Sequence, residues 1–467
     1  MLFNFTMSTF RHILFAMILL ESSQIAYSQS IPTADALSSS VKRFDTINAT
    51  QLRLSNGMTV FLKPTDCEEG EIYVKLAALG GYASLAEKER PSAEIAAQVA
   101  WESGMDTMSS DQVSVFLYNN SLDIASRIHP FSRVIQGEGC TSGVEGLLQY
   151  IKMIFTSQKF TKEGWEAALS KAKIDLNKLV NDVDYAYETA FVQFNTQDFS
   201  GLRPSVDLKK ADFETTEQLF RRSFSDPSEF YCVIVGDYDV HAMIALINRH
   251  LGSIPPAKIS SGLNHPFAAP FPKGVTKGDV KLNGCSGNIV RLTFPLKLDK
   301  IIDEKLLPQI AFACQVIETR LGQVITEKMD KSYGVDVSYE FPLYPLLADP
   351  WLSIRFRCDE SQVPALTRTV IAEIRHLQQD GVSEDEVETM KTLEFSHQEF
   401  WLQDNFYWLS MLMNYSLWGW DPEKIIYKNT SIKDLSSQDV TNLINSTISL
   451  ENYSTFNGIF TLDKMPL

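Results

Sequence analysis

Glu94, Gln98 and Glu102 are spaced four residues apart in an alanine-rich segment, so a helix would place all three on one face. Carboxylates on a helix face can ligate a metal or transfer a proton, and a hydrolytic zinc site uses both abilities. Zinc needs at least three good donors, whereas the neutral amide of Gln98 is a poor ligand. We therefore expect no metal site here and interpret the three residues as a solvated stripe opposite Ile95 and Val99.

Short-range signals place this helix after a β-hairpin. Apolar residues alternate on both sides of Asn56 and Gly57, which can supply the two φ > 0 positions of a tight turn. In chain order, the predicted elements are a hairpin at 52–63, a strand at 72–79, the pair Gly80-Gly81 and a helix at 91–104 with Gly104 as its C-cap.

This order of hairpin, strand, glycine pair and helix resembles the insulinase/pitrilysin family of zinc peptidases. In catalytic members the helix carries His-x-x-Glu-His, an inverted zincin motif. Laying that motif on this chain puts the two histidines at Glu94 and Gln98 and the general base at Ala97. No neighbouring register restores the motif, and a methyl group cannot move a proton. The resemblance therefore implies a member whose helix is degenerate, with no catalytic residue and no metal ligand.

A second segment, 325–337, is similar to the family's stretch Arg-Glu-x-x-Gly-x-x-Tyr-x-Val-x-Val. The resemblance implies that Tyr333 matches a tyrosine that binds the substrate backbone, while Thr326 replaces the arginine and Asp330 the glycine. Arginine offers a charged, planar fork to a developing oxyanion, but threonine offers one neutral hydroxyl. We expect Tyr333 and Thr326 to form a weakened substrate clamp. The alternative is that Tyr333 is an ordinary aromatic residue at the start of a strand.

Composition excludes several classes of protein. The chain has 467 residues, 44% of them hydrophobic, and a net charge of −16, which argues against nucleic acid as a partner. Its six cysteines form no C-x-x-C pair, and its seven histidines form no i, i+4 pair with an intervening carboxylate. Cys232 and Cys314 lie in apolar runs and are interpreted as core residues.

The first 28 residues are typical of a signal peptide. Arg11 and His12 precede the apolar run 13–20, and 26–28 read small-x-small, as at a cleavage site. The run is too short to span a bilayer, although an uncleaved anchor is the alternative. We therefore expect an exported protein, periplasmic or extracellular, with no membrane span after cleavage.

The rest of the chain reads as two halves of similar plan. The helix predicted at 144–157 is matched by the segment that begins at Val363. The cap at Thr161, which starts the next helix, is matched by Ser383, which forms a capping box with Glu386. We predict insulinase-like domains at 45–252 and 277–467, joined by a Pro-rich linker at 253–276. The predicted elements are strands at 230–235, 280–282, 289–294, 334–341 and 351–357, and helices at 240–251, 307–329 and 384–417, the last taken as the final helix.

The fold class expected from the resemblance is α+β. Two similar domains, each a mixed or antiparallel sheet packed with helices, would form half of a metallopeptidase clamshell. The leading hypothesis is a non-catalytic subunit of an exported insulinase-family zinc peptidase, which contributes chamber wall and binds unfolded peptide. No cofactor is expected in this chain, and zinc is expected in its catalytic partner. The alternatives are a stand-alone scaffold or peptide-binding pseudoenzyme and, less favoured, an active zinc metalloendopeptidase.

Overall fold

A computed structural model of the protein describes residues 38–196, 208–257, 260–263, 271–283, 287–296, 303–328, 334–340 and 351–461. Their strands form two sheets. The first contains β1 (Ser38–Phe44), β2 (Ala49–Leu54), β3 (Thr59–Pro64), β4 (Glu71–Leu79), β5 (Leu122–Ile128), β6 (Ser132–Cys140) and β7 (Tyr231–Gly236). The second contains β8 (Val275–Asn283), β9 (Asn288–Pro295), β10 (Val335–Glu340), β11 (Trp351–Cys358) and β12 (Tyr453–Thr461).

Helices follow the same division along the chain. In the first half they are α1 (Arg90–Ser103), α2 (Ser110–Asn119), α3 (Val144–Thr156), α4 (Lys162–Val180), α5 (Val183–Asn195), α6 (Phe213–Ser223) and α7 (Val240–His250). In the second half they are α8 (Leu306–Lys328), α9 (Val363–Gln379), α10 (Glu384–Trp401), α11 (Asn405–Trp418), α12 (Lys428–Lys433) and α13 (Ser437–Thr447).

The five strands of the second sheet repeat the topology of five of the seven strands in the first. The strand orders of the two sheets are β1-β2-β3-β7-β4-β6-β5 and β10-β11-β9-β12-β8. In the first, β7 pairs parallel with β3 and antiparallel with β4, and in the second, β12 pairs parallel with β8 and antiparallel with β9. In each half the last strand therefore lies between two strands that are consecutive in sequence, β3 and β4 in the first half and β8 and β9 in the second. The expected α+β class with two similar domains is confirmed.

Strand alternation divides each sheet into two buried faces. On β4, Ile72, Val74 and Leu76 lie in the main core with α1, α3, α6 and α7. Tyr73 and Ala77, which alternate with them, lie in a separate cluster on the opposite face. Both faces of the first sheet are thus covered, which explains the nearly continuous apolar sequence of β4.

One helix from each half crosses to the sheet of the other half. From the second half, α11 packs on β4 and β7 of the first sheet. From the first half, α5 packs on β8 and β12 of the second sheet. The two halves are consequently joined by an exchange of helices as well as by the connecting chain.

The first hairpin has a different turn from the one expected. Of the pair Asn56-Gly57, only Gly57 has a positive φ, at +89°. Leu54 accepts from the Gly57 N–H at 3.0 Å and donates to Met58 O at 2.9 Å, so a three-residue loop with glycine in the left-handed position closes the hairpin. Asn56 instead uses its buried side chain, which donates to Leu251 O at 2.8 Å and Ile254 O at 3.0 Å.

The helix predicted at 384–417 is wrong as a single element, and it is not the final one. It breaks after Trp401, and the Asp404 side chain accepts from Tyr407 N–H at 2.7 Å to cap α11. The capping box of Ser383 and Glu386 at the start of α10 is confirmed. Two further helices and β12 follow α11, and β12 lacks strict alternation because both faces of the second sheet are covered, with Tyr453 packing in one cluster and Phe456 in the other.

Other expectations meet the structure only in part. The signal peptide predicted at 1–28 lies outside the described residues. Within the described part of the chain, none of the helices has the length and apolar character needed to cross a membrane. Cys232 and Cys314 are buried, as expected for core residues.

Candidate functional site

The candidate site is α1, whose ends are set by short-range sequence. Pro91 lies in its first turn, where a missing N–H costs nothing, and Gly104 ends it with a φ of +82°. A Cβ at residue 104 would meet Met108 O at 2.3 Å, so only glycine fits there. Ala93, Ala96 and Ala100 face the main core, and these small side chains let the helix lie close to the sheet.

The backbone before α1 is fixed by a buried arginine. Arg133 donates to Leu79 O at 2.6 Å, Gly80 O at 3.2 Å and Ser223 O at 3.0 Å, and forms an ion pair with Glu229 at 2.7 Å. These contacts satisfy a guanidinium with no exposed side-chain surface, which would otherwise be costly to bury. The glycine pair after β4 has a separate cause, because Gly80 has a φ of +89° and a Cβ at residue 81 would clash with His129 O.

The polar stripe on α1 is not solvated, and this expectation is wrong. Glu94, Gln98 and Glu102 are half-buried because α4 lies across the helix. Gln98 Nε2 donates to Glu102 Oε1 at 2.7 Å, and Lys171 Nζ on α4 donates to the same oxygen at 2.7 Å. The Glu102 side chain is only 8% exposed. The stripe is therefore a polar contact between two helices.

Ile95 and Val99, expected opposite the polar stripe, also face α4. They pack with Ala168 of α4 in a small cluster of their own, while Ala97 packs against the main core. The helix thus buries apolar side chains towards both the sheet and α4.

The site lacks the chemistry of a zinc hydrolase. Of the three motif positions, Glu94 offers one carboxylate, Gln98 a neutral amide already bonded to Glu102, and Ala97 no proton-transferring group. Among the described residues, no group of three or more His, Cys, Asp or Glu side chains is arranged to hold a metal ion. The residues present at this position do not fit zinc.

A neighbouring tyrosine is also held in its neutral form. Burial raises the pKa of Tyr82, and the nearby Glu94 carboxylate raises it further. Tyr82 lies in the main core with α1, so its phenol remains a hydrogen-bonding group over the physiological pH range.

The predicted substrate clamp lies outside the side chains that the structure describes. Tyr333 lies outside the described residues. Thr326 belongs to the last turn of α8, but its side chain is not among those described. Before this turn, Glu318 on α8 accepts from Val337 N–H on β10 at 3.0 Å, which fixes α8 against the edge strand. The role of Tyr333 and Thr326 in substrate binding therefore stays a prediction.

Lys171 is the residue that sequence reasoning missed. It lies 69 residues from Glu102 and reaches it only because α4 packs on α1. The lysine-rich character of α4 predicts solvent exposure, and no local signal indicates which of its lysines is paired.

Comparison with known proteins matches the chain to peptidase relatives. Residues 218–393 match the Peptidase M16 inactive domain. The chain is 25% identical over 383 residues to the zinc protease PQQL-like of Arabidopsis thaliana, covering 79% of this chain and 37% of that protein. It is 26% identical over 215 residues to the probable zinc protease PqqL of Escherichia coli, covering 44% and 22%. The chain spans less than half the length of the curated relatives it matches.

Solved structures show the same fold. The periplasmic protease PqqL of Escherichia coli superposes with a TM-score of 0.71 at 18% identity, covering 97% of this chain and 49% of that one. The first half of that protease gives 0.71 at 15% identity, covering 91% and 93%. A peptidase M16 inactive domain from Pseudomonas fluorescens also gives 0.71, at 12% identity, covering 90% and 100%. Shape is therefore common to the first half of a protease and to an inactive domain, and only side chains can distinguish them.

Proposed function

Since the chain belongs to the insulinase (M16) family of zinc peptidases, we propose that it is a non-catalytic partner of an exported family member. In this role it supplies part of the chamber wall and binds unfolded peptide. The observation that carries the proposal is the state of α1. The motif positions Glu94, Ala97 and Gln98 offer no zinc site, and the neighbouring Glu102 is engaged by Gln98 and Lys171.

The partner must provide the groups that hydrolyse the peptide bond. Peptide hydrolysis in this family needs a metal-bound water and a general base, and a methyl group at residue 97 supplies neither. The chain matches one half of a longer protease over nearly its whole length. A second body that carries zinc would complete the molecule, and no cofactor is assigned to this chain.

The test is purification of the native complex with zinc analysis of each chain. We expect about one zinc in a companion chain that carries His-x-x-Glu-His, and no stoichiometric zinc in this chain after dialysis. The purified chain alone should not cleave denatured casein. Chelator-sensitive cleavage that follows this chain and is lost in Glu94→Ala would contradict the proposal.

Substrate contact by this chain is a separate part of the proposal. In the reconstituted pair, Tyr333→Phe should lower kcat/KM, since the loss of one phenolic donor to a developing oxyanion costs a few kcal/mol or less. Thr326→Arg should raise kcat/KM by restoring a charged fork of donors. If neither variant changes kcat/KM while activity still requires the chain, Tyr333 and Thr326 do not touch substrate.

Location is proposed on two grounds. Residues 1–28 have the pattern of an export signal. The Escherichia coli relative in the structural comparison is a periplasmic protease. Cell fractionation with N-terminal sequencing tests this, and we expect the mature chain outside the cytoplasm, beginning after Ser28.

A stand-alone peptide-binding protein is the second candidate, and one observation favours it. The chain covers 98% of the solved chain of a protease from Helicobacter pylori with a TM-score of 0.72, so that solved chain holds no second body of this size. The native mass distinguishes the candidates, because a stand-alone protein would purify without a zinc-binding chain.

A further inference from the structure

One face of the second sheet carries a row of hydroxyl groups that crosses all five strands. Ser353 of β11 pairs directly with Thr293 of β9, which pairs with Ser454 of β12. At the two ends of the row, Thr276 of β8 pairs with Ser454, and Ser338 of β10 pairs with Ser353. Paired residues of neighbouring strands share a face and lie about 5 Å apart, so the five side chains are adjacent. We call them the hydroxyl row.

The hydroxyl row lies on the face of the sheet that α5 covers. Phe456, two residues beyond Ser454 on β12, packs on this helix. Its ring centroid lies 6.0 Å from that of Phe191 and 5.3 Å from that of Phe194. Residues two apart on a strand point to the same face, so the hydroxyl row also faces α5.

The last residue of α5, Asn195, reaches this row. It follows Tyr187 by eight residues and shares its helix face. A Cβ at Gly458 would lie 2.8 Å from the Tyr187 ring, while later residues of α5 pack on Phe456, so the helix runs towards lower residue numbers on β12. Eight helical residues advance about 12 Å and four strand residues about 13 Å, which places Asn195 over Ser454.

Several buried polar atoms at this end of α5 have no hydrogen-bond partner among the described residues. They are Asn195 Nδ2 and Oδ1, Ser454 Oγ, Thr276 Oγ1 and the indole Nε1 of Trp351, two residues before Ser353. Asn195 and Ser454 are both 0% exposed. Burying a polar group without a partner is unfavourable, and native proteins contain few such groups. Five of them along one row indicate a bound molecule that supplies the missing bonds.

We propose that a cluster of ordered water molecules is bound between the end of α5 and the hydroxyl row. Water both donates and accepts, as these atoms require, because Asn195 Oδ1 needs a donor and Trp351 Nε1 needs an acceptor. Buried waters typically bond to about three polar groups of this kind. An anion is disfavoured, since Arg291, the cation that contacts the row through Ser353, is already paired with Glu188.

The bound water connects the two halves of the chain, because Asn195 belongs to the first half and the hydroxyl row to the second. Hydrogen bonds through water contribute nearly as much as direct ones. The end of α5 is therefore held by polar contacts, in addition to the apolar packing of Tyr187 and Phe191. The water site does not depend on the partner role proposed above.

A high-resolution crystal structure of the full chain tests the site directly. We expect ordered water about 2.7–3.2 Å from polar atoms of Asn195, Ser454 and Thr276. In Asn195→Leu the water next to residue 195 should be lost, because the apolar side chain offers no bond. The proposal is overturned if these atoms bond to one another or to other protein groups. It is also overturned if an organic molecule, seen as added mass in native mass spectrometry, occupies the site.

A stability measurement gives an independent test with a predicted sign. Valine has nearly the shape of threonine without the hydroxyl, so Thr276→Val should lower Tm by about 1–2 °C if that hydroxyl bonds to water. The control is Thr455→Val. The Thr455 hydroxyl is also buried without a described partner, but it lies on the opposite face of β12 beside Leu292, and its removal should not lower Tm. A Tm of Thr276→Val equal to or above that of wild type would overturn the proposal, because it would mean that an unpaired hydroxyl had been removed.

Discussion

The two helices exchanged between the halves hold their target sheets by different chemistry. On the first sheet, α11 buries Trp408, Leu409, Leu412 and Met413, which are at most 5% exposed. On the second sheet, α5 buries Tyr187 and Phe191 but adds charged residues on both sides of the contact. The exchanged helix is therefore held by apolar contacts on the first sheet and partly by ion pairs on the second.

The ionic contact is centred on Arg291 of β9. Its Nη1 lies 2.9 Å from Glu188 Oε2 on α5, its Nε donates to Ser353 Oγ at 3.0 Å, and its guanidinium stacks 3.7 Å from the centre of the Phe191 ring. Apolar burial contributes in proportion to area and depends little on salt, whereas a buried ion pair must first offset its desolvation. The α5 contact should be the weaker of the two and the more sensitive to solution conditions.

The largest effect is expected where α11 is buried most deeply. Leu412→Ala should lower the free energy of unfolding by about 2–5 kcal/mol, because it leaves a cavity between α11 and the first sheet. Denaturant unfolding measures the change, and Ser410→Ala, exposed on the same helix, is the control. If Leu412→Ala lowers the free energy of unfolding by less than Arg291→Met does, the α5 contact is the stronger of the two.

Removing the arginine of the α5 contact should cost less. Arg291→Met leaves Glu188 without its closest cation, although Arg355 remains 3.6 Å away, and should cost about 2–3 kcal/mol. Adding Glu188→Gln should recover part of that loss, because no carboxylate is then left unpaired. Thermal and denaturant unfolding of the two single variants and the double variant measure this coupling. Simple additivity would show that the ion pair does not hold α5.

The fold could be predicted from sequence wherever the signal was local. Three such signals depend only on residues close together in the chain: the glycine at 104, the capping box of Ser383 and the alternation around residues 52–63. The structure contains the element that each of them predicts. The turn at Asn56 and Gly57 was misread because Asn56 serves a contact with Leu251, 195 residues away. Long-range bonds of this kind leave no local pattern.

Local sequence patterns also predict only part of the candidate site. The absence of a zinc motif at Glu94, Ala97 and Gln98 follows from residue types alone. The burial of the polar stripe did not follow, because it depends on α4 lying across α1 and on Lys171 reaching Glu102. Helix spacing indicates which residues share a face, but not what covers that face.

The ion pair between Arg133 and Glu229 lies within the first half. It tests whether ionic stabilisation is confined to the α5 contact or also occurs elsewhere in the molecule. Burial opposes ionisation of Glu229, but hydrogen bonds from Ser260 and Ser261 and the Arg133 guanidinium outweigh it and lower the pKa below the ordinary 4.5. A lowered folded-state pKa stabilises the protein above the unfolded value, and this stability is lost as pH falls through the folded value.

Glu229→Gln should therefore cost about 1–2 kcal/mol at pH 7 and progressively less below about pH 4. Unfolding free energies of wild type and variant between pH 3 and 7 measure the difference. If the cost does not vary with pH, the carboxylate charge does not support Arg133, and ionic stabilisation would be confined to the α5 contact.

The smallest effect is expected at the exposed end of α5. Asp184 Oδ1 lies 3.6 Å from Arg355 and 3.5 Å from Arg357, and its side chain is mostly exposed, so water screens both pairs. Asp184→Asn should cost no more than about 0.5 kcal/mol at low salt and close to nothing at 1 M NaCl, where the Debye length is about 3 Å. Because Asp184 also lies in the first turn of α5 and interacts with the helix dipole, a double-mutant cycle with Arg357→Gln isolates the ion pair. The cost of Leu412→Ala should not fall over the same salt range, and a parallel fall in both would mean that salt acts on the whole fold instead of on the ionic contact.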